Sequence, residues 1–500
     1  MKDFHPKAYA GAIALCMTLC LMPALDAQTA RPREVESWIT TADRSSLLRK
    51  QTRTLAFGPE NRRGMAIIVD ERQSFQPIDG FGFALTEGSA FHLHRMTPAA
   101  RRQLLEQLFA TGSPNAGISY IRLTLGASDL NNFVYSYDDL APGETDYELR
   151  KFSLGHDRDD ILPVLKEILT IAPDIRILAS PWSAPAWMKA NNNVRDGSLR
   201  PECYDVYARY FVRYIQEMAR EGIRIDAVTV QNEPLNSRNT PSMPWLWQEH
   251  AEFVGKHLGP AFRRAAIETK IIIFDHNCDR PDYPLAILND PETASCVDGS
   301  AFHHYGGYLS AMSVVHTARP DKNIYFTEQM LTERPQSETI QIAASVKRLI
   351  IDVTRNWSRN VILWNLAADP LNDPHTDNGG CSMCQGAVTI DGDLVTFNIA
   401  YYTLAHASSF VPSGSVRIAS TQPFDPGVDL TQDEERPEVR RATLVPHSEV
   451  LPNVAFLRPD GRIVLIVANT GGSETTVKIQ SGGQYVYDRL PSGATATYVW

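Results

Sequence analysis

Glu233 and Glu328 each follow a short apolar segment of strand character, and two carboxyl groups facing one another are the equipment for splitting a glycosidic bond. One carboxyl protonates the departing oxygen; the other, about 5 to 5.5 Å away in enzymes that retain configuration, attacks the anomeric carbon. The tasks need different proton affinities, so one group must be held protonated by burial or a neighbouring negative charge while the other stays ionised. Further polar and aromatic residues follow or end the same kind of segment: Glu87, Ser128, Asp129, Trp182, Asn232, His304, Tyr305 and Trp364. Asn232 offers an amide to a sugar hydroxyl, and Trp182, Trp187, Tyr305 and Trp364 offer apolar faces to sugar C–H groups. Glu87 is the expected clamp on a pair of hydroxyls, although it also reads as a first-turn helix residue. A single glutamate after a strand is usually a surface residue, so the argument rests on the pair being in register.

Positioning these groups requires a scaffold that gathers strand ends. Eight segments of strand character occur at 78–84, 118–125, 175–180, 227–230, 271–275, 300–304, 323–327 and 360–364, each separated by enough chain to return over a helix. The stretch 204–220 shows such a helix, with Tyr204, Tyr207, Phe211, Tyr214, Ile215 and Met218 on one face. Repeated crossovers of one hand predict an α/β fold, a (β/α)8 TIM barrel, with a doubly wound sheet as the alternative that periodicity leaves open. Glu233 and Glu328 follow the fourth and seventh segments and would face each other across the barrel mouth, where βα loops build active sites. Beyond Ser409 the helical period stops, and 441–446, 453–457, 463–468, 475–479 and 494–500 alternate as half-buried strands, with a turn at Asp460-Gly461. Residues 65–75 would add a strand to this β-sandwich, making it a domain built from both chain ends. The expected layout is a signal peptide at 1–27, an N-terminal sandwich segment at 28–76, the barrel at 77–409 and the C-terminal sandwich at 410–500.

The 500 residues are 43% hydrophobic and 21% charged, ordinary for a globular chain, and the net charge of −10 without clustered Lys and Arg argues against nucleic acid. Lys2 and Lys7 precede an apolar stretch over 8–22, then Pro23 and small residues to Ala27, the pattern of an export signal cleaved near Gln28. A secreted or periplasmic protein with no transmembrane span in the mature chain is therefore expected. Cys381 and Cys384 form a C-x-x-C that reads as a redox pair, a zinc half-site or a local disulfide, and export favours the disulfide. His303 and His304 would point to opposite faces of a strand, which argues against a metal pair. No metal and no cofactor is expected. Gly80-Phe81-Gly82 lacks the third glycine of a dinucleotide fingerprint.

At these positions the chain resembles glycoside hydrolase family 30, which includes glucosylceramidases and endo-β-1,6-glucanases. The resemblance rests on 76–86 (QPIDGFGFALT), Arg122 with 126–129 (GASD), 180–189 (SPWSAPAWMK), 231–234 (QNEP), 303–305 (HHY), 326–328 (FTE) and 364–366 (WNL), in that order over nearly the whole mature chain. It implies a barrel fused to a sandwich, retention of configuration, Glu233 as acid/base and Glu328 as nucleophile. It further implies that Glu87, Trp182, Asn232, Tyr305 and Trp364 hold the sugar on the non-reducing side. Glu87 departs from the glucosylceramidase pattern, which has aspartate there. The expected substrate is a β-glucoside cleaved through a covalent glucosyl-enzyme. A glucosylceramidase-like reading stands first, an endo-β-1,6-glucanase second and a non-catalytic carbohydrate-binding protein third. A barrel aldolase or isomerase would want a lysine or metal ligands at strand ends, and none is placed there.

Overall fold

The computed structural model describes Met1, residues 33–333, 339–422 and 451–500, and the backbone of short strands between 424 and 449. Apart from Met1, the expected export signal at 1–27 lies outside the described residues.

Eight parallel strands form the barrel: β1 (Gly80–Leu85), β2 (Tyr120–Thr124), β3 (Arg176–Ser180), β4 (Ala227–Thr229), β5 (Lys270–Cys278), β6 (Val297–Gly307), β7 (Asn323–Glu328) and β8 (Asn360–Asn365). They coincide with the eight segments expected from periodicity. Ladders run from β7 through β6 down to β1 and on to β8. The circle closes between β7 and β8 through Arg359 N to Ile324 O at 2.9 Å, Trp364 N to Gln329 O at 3.0 Å, and Phe326 N to the Asn360 side chain at 2.8 Å. Closure removes the exposed strand edges that a doubly wound sheet would keep.

Inside the barrel, Tyr120, Leu178, Ala227, Ile272, Ala301, Tyr325 and Ile362 pack as one cluster, small residues making room for the two tyrosines. Gly82 is required at its position: a Cβ there would lie 1.5 Å from the Tyr120 carbonyl oxygen. Outside, the helix Tyr204–Arg220 buries Tyr207, Phe211, Tyr214 and Met218, each burial stabilising by roughly 1.5–3 kcal/mol.

The second domain draws strands from both ends of the chain. Glu34–Thr40 pairs antiparallel with Thr495–Val499, and Ile67–Pro77 lies between Val416–Ser420 and Thr475–Ser481. The strands Asn453–Leu457 and Ile463–Ala468 pair across the expected turn, where Gly461 takes φ +83°. The segment expected at 441–446 differs: Arg440–Leu444 pairs with Val428–Gln432 in a separate hairpin, and 445–446 lies outside the described residues. Between the domains runs the helix Ile399–Ser408, whose buried His406 reaches Thr40 at 2.8 Å and Thr497 at 2.9 Å.

Candidate active site

The site is built at the C-terminal end of the barrel, where β-bulges turn side chains inward. In β5 the pairing with β6 slips at Asp275, and Phe274 and Asp275 take φ of +75° and +57°. Two further slips bring His303 level with Glu328 and leave Trp364 unpaired against β1. Glu233, after β4 and before Pro234, sits at φ +48°, a left-handed conformation that costs a non-glycine residue about 1–3 kcal/mol. Its N–H is held by the Asp275 carbonyl at 3.0 Å and its own carbonyl by Asn236 N at 2.8 Å.

Arg122 organises the interior. Fully buried, it donates from Nη1 to Glu328 Oε2 at 2.5 Å, from Nη2 to Asn232 Oδ1 at 2.7 Å and Asp275 Oδ2 at 2.9 Å, and from Nε to Ser180 Oγ at 3.0 Å. Glu328 Oε1 accepts from the Tyr305 hydroxyl at 3.0 Å. Glu233 Oε1 faces His303 Nδ1 at 3.1 Å, and Oε2 accepts from Asn236 Nδ2 at 2.7 Å. Oxygens of Glu233 and Glu328 and a nitrogen of His303 lie within 4.8 Å of one another. That donor set could hold a cation, but the Arg122 guanidinium already supplies positive charge to Glu328, and both His303 nitrogens face carboxylates.

These contacts set the proton affinities. Burial alone would raise Glu233, but the hydrogen bond and charge of His303 outweigh it and hold the carboxyl at about 2. For His303, burial opposes protonation, yet Glu328, Asp275 and Glu233 raise it to about 9. Burial raises Glu328, with His303 and Arg122 pulling it back. Asp129 is pushed up to about 8 by burial and by the nearby Glu328 and Glu233 carboxylates.

The cleft above the two glutamates encloses about 420 Å³ and is lined by Asp129, Trp182, Asn236, His276, Tyr305 and Trp364, among others. Trp182 and Trp364 stack with ring centroids 5.3 Å apart, and the buried Trp182 indole N–H finds no acceptor among the described residues. The Tyr305 ring is exposed at the rim while its hydroxyl reaches inward. Asn232 sits beneath, held by Arg122. The Cys381–Cys384 disulfide forms, and both cysteines line the cleft. At the opposite end of the barrel a hollow of about 530 Å³ is lined by Asp79, Arg176 and Lys270. Its charges pair locally, Arg359 with Asp79 at 2.8 Å and Lys270 with Asp298 at 3.2 Å, as suits the end of a barrel that serves stability.

Glu87 is a correction. It opens the helix Glu87–Arg95, capped by Thr86, and its carboxylate takes the backbone and side-chain N–H groups of Asn132 at 3.1 and 3.0 Å. Glu87 is not among the residues lining the cleft, where the carboxyl beside the two glutamates is Asp129. Trp187 is also outside, its indole bound to Asp138. Arg122, Asp275 and His303 were not singled out as site residues from sequence. Their signal is charge inside apolar strands: Arg122 sits in YIRLT, in which every residue is buried.

Residues 78–411 match the glycosyl hydrolase family 30 TIM-barrel domain and residues 439–498 the family 30 beta sandwich domain. The chain is 32% identical to an endo-1,6-beta-D-glucanase of Neurospora crassa over 95% of this chain and 96% of that protein. It is 26% identical to the mouse lysosomal acid glucosylceramidase, over 87% and 84% of the two. The solved endo-beta1,6-glucanase BT3312 superposes with a TM-score of 0.82 at 31% identity, covering 93% of this chain and 99% of that one. With both domains matched and the carboxylate pair in place, the chain belongs to glycosyl hydrolase family 30 and is a glycoside hydrolase.

Proposed function

We propose that this enzyme is an endo-β-1,6-glucanase that retains anomeric configuration, with Glu328 as nucleophile and Glu233 as acid/base. The observation that carries the mechanism is the approach of the two carboxyl groups, with oxygens within 4.8 Å. That fits the roughly 5–5.5 Å separation of retaining enzymes and leaves no room for the inserted water that inversion needs at about 6.5–9.5 Å. The neighbours support these roles. Arg122 and the Tyr305 hydroxyl both donate to Glu328 and favour its anion, whereas Glu233 contacts an imidazole that can give and take a proton.

In the first step Glu328 attacks the anomeric carbon, the C–O bond to the leaving sugar breaks, and the Glu233 proton passes to the departing oxygen. In the second, water loses a proton to Glu233 and attacks the same carbon, releasing Glu328. Stacked Trp182 and Trp364 give the sugar an apolar wall, and Asp129 and the free Trp182 N–H face its hydroxyls.

Glucan as substrate is supported by the endo-1,6-glucanase relatives at 31–32% identity and by the hydrogen-bonding rim of Asn236, Arg238, Asn239 and Asn277. These favour a polyhydroxylated aglycone over the lipid that the glucosylceramidase-like reading expects. Export is proposed from the sequence signal, and the disulfide suits an oxidising compartment. Incubation with β-1,6-glucan, laminarin and glucosylceramide tests the reading: short β-1,6-linked oligosaccharides from the first alone are expected, and ceramide release without glucan cleavage would overturn it.

A further inference from the structure

We propose that Glu233 and His303 hold a single proton between them, so that His303, anchored by Asp275, is the positioning residue that keeps the acid/base supplied. The inference rests on the acid/base role given to Glu233 above. Its starting point is Asp275, fully buried in the β5 bulge. Its Oδ2 receives Arg122 at 2.9 Å and Thr229 at 2.7 Å, and its Oδ1 receives Thr327 at 2.5 Å and His303 Nε2 at 3.0 Å. With the Arg122 charge and the Thr229 and Thr327 hydroxyls aimed at it, Asp275 stays an anion that only accepts.

His303 Nε2 must therefore carry a hydrogen, which fixes the tautomer and turns Nδ1 towards Glu233 Oε1 at 3.1 Å. Two arrangements place one proton in this contact. Either Nδ1 bears a second hydrogen and donates to the Glu233 carboxylate, or Nδ1 is bare and accepts from the Glu233 carboxyl. They interconvert by one proton crossing one hydrogen bond: an N–H bond breaks, an O–H bond forms, and the pair keeps the same net charge. The other titratable groups facing His303 are Glu328, 3.8 Å away on β7, His276 on β5 with ring centroids 6.5 Å apart, and Tyr305 on its own strand at 6.3 Å. The anions among them favour keeping the proton in the pair. This accounts for a Glu233 carboxyl that is depressed yet suited to be the acid: the depression exists because His303 is holding the proton.

A second host can only raise the pH at which the pair loses its proton. His303→Gln should therefore move the alkaline limb of kcat/KM to lower pH by about one unit or more, because Glu233 alone must then hold the proton. The loss should also depend on the leaving group. Cleavage of β-1,6-glucan should fall at least about 30-fold further than cleavage of 2,4-dinitrophenyl β-glucoside, whose departure needs little protonation. An unmoved limb together with equal losses on both substrates would overturn the proposal. Glu233→Gln is run alongside: if it cleaves the glucan as well as the parent, the role of Glu233 itself fails, a result distinct from failure at His303. Should His303→Gln not fold, ¹⁵N-histidine NMR of the unsubstituted enzyme decides. Nε2 must remain protonated across the pH range while Nδ1 titrates, and Glu233→Gln must shift that titration to lower pH; a bare Nε2 would overturn the proposal.

Discussion

Arg122 shows how much of this site depends on one side chain. It faces two buried carboxylates, Asp275 and Glu328, with no exposure of its own, and removing one partner of such a group leaves uncompensated buried charge at about 3–5 kcal/mol. Arg122→Ala is expected to lower stability by that amount in chemical denaturation. Arg122→Lys should fold better yet remain poorly active, because an ammonium cannot reproduce the fork that reaches Glu328, Asn232 and Asp275 together. Asp129 has the opposite character. Its carboxyl titrates at about 8 instead of 3.8, burial being the main cause, so between those values the folded state binds more protons than the unfolded one and stability falls as pH rises. Asp129→Asn removes that penalty. It should raise Tm at pH 8 while lowering kcat/KM on glucan; a variant that loses both stability and activity would contradict the assignment. At this scale the sequence exposed the aromatic wall and the two glutamates, because each ends or follows an apolar run. It put Glu87 at the cleft where the structure has Asp129, since both follow strands and only the helix start at Glu87 separates them.

The elements themselves were legible. All eight barrel strands and the helix Tyr204–Arg220 appear where period-2 and period-3.6 patterns put them. The bulges were not, because an extra residue in one strand leaves no compositional trace, yet they place Asp275, His303, Glu328 and Trp364. The loop after β8 was also opaque in detail. Its Thr376 N–H binds the Asp129 carbonyl at 2.9 Å, and its disulfide packs against Met330, with Cys384 Sγ 3.6 Å from the Met330 sulfur. Freed of the disulfide, this wall of the cleft should hold sugar less well. The double variant Cys381→Ser, Cys384→Ser is expected to lose about 1 kcal/mol of binding, roughly fivefold in KM, with kcat little changed; an unchanged KM would show the loop holds without it. Gly82→Ala should not fold, since the added carbon meets the Tyr120 carbonyl and backbone cannot yield there.

Across the whole molecule His406 is one of the ties between the two domains. Thr497 Oγ1 donates to the His406 carbonyl at 2.8 Å, so His406 Nδ1 is the N–H that Thr497 accepts, and Nε2 accepts the Thr40 hydroxyl. A single neutral imidazole thus ties the last barrel helix to strands from both chain ends, alongside Arg355, which donates to the Asn453 and Ser420 carbonyls. Burial lowers His406 from 6.5 to about 3, and His250 likewise. Between those values the unfolded chain binds the extra protons, so each histidine removes about 1.4 kcal/mol of stability per unit as pH falls. His406→Gln should flatten the acid side of the Tm profile relative to the parent; an unaltered slope would contradict the burial argument. The discontinuous sandwich was foreseeable from the strand pattern at 65–75 and after Ser409, but the pairing of Glu34–Thr40 with Thr495–Val499 joins segments too far apart in sequence for periodicity to connect. Double displacement as proposed requires a covalent glucosyl-enzyme on Glu328. Inactivation with 2,4-dinitrophenyl 2-deoxy-2-fluoro-β-glucoside, followed by peptide mass spectrometry, reads it directly: one fluoroglucosyl group on Glu328 is predicted, and labelling of Glu233, or no covalent adduct on an otherwise active enzyme, would contradict it.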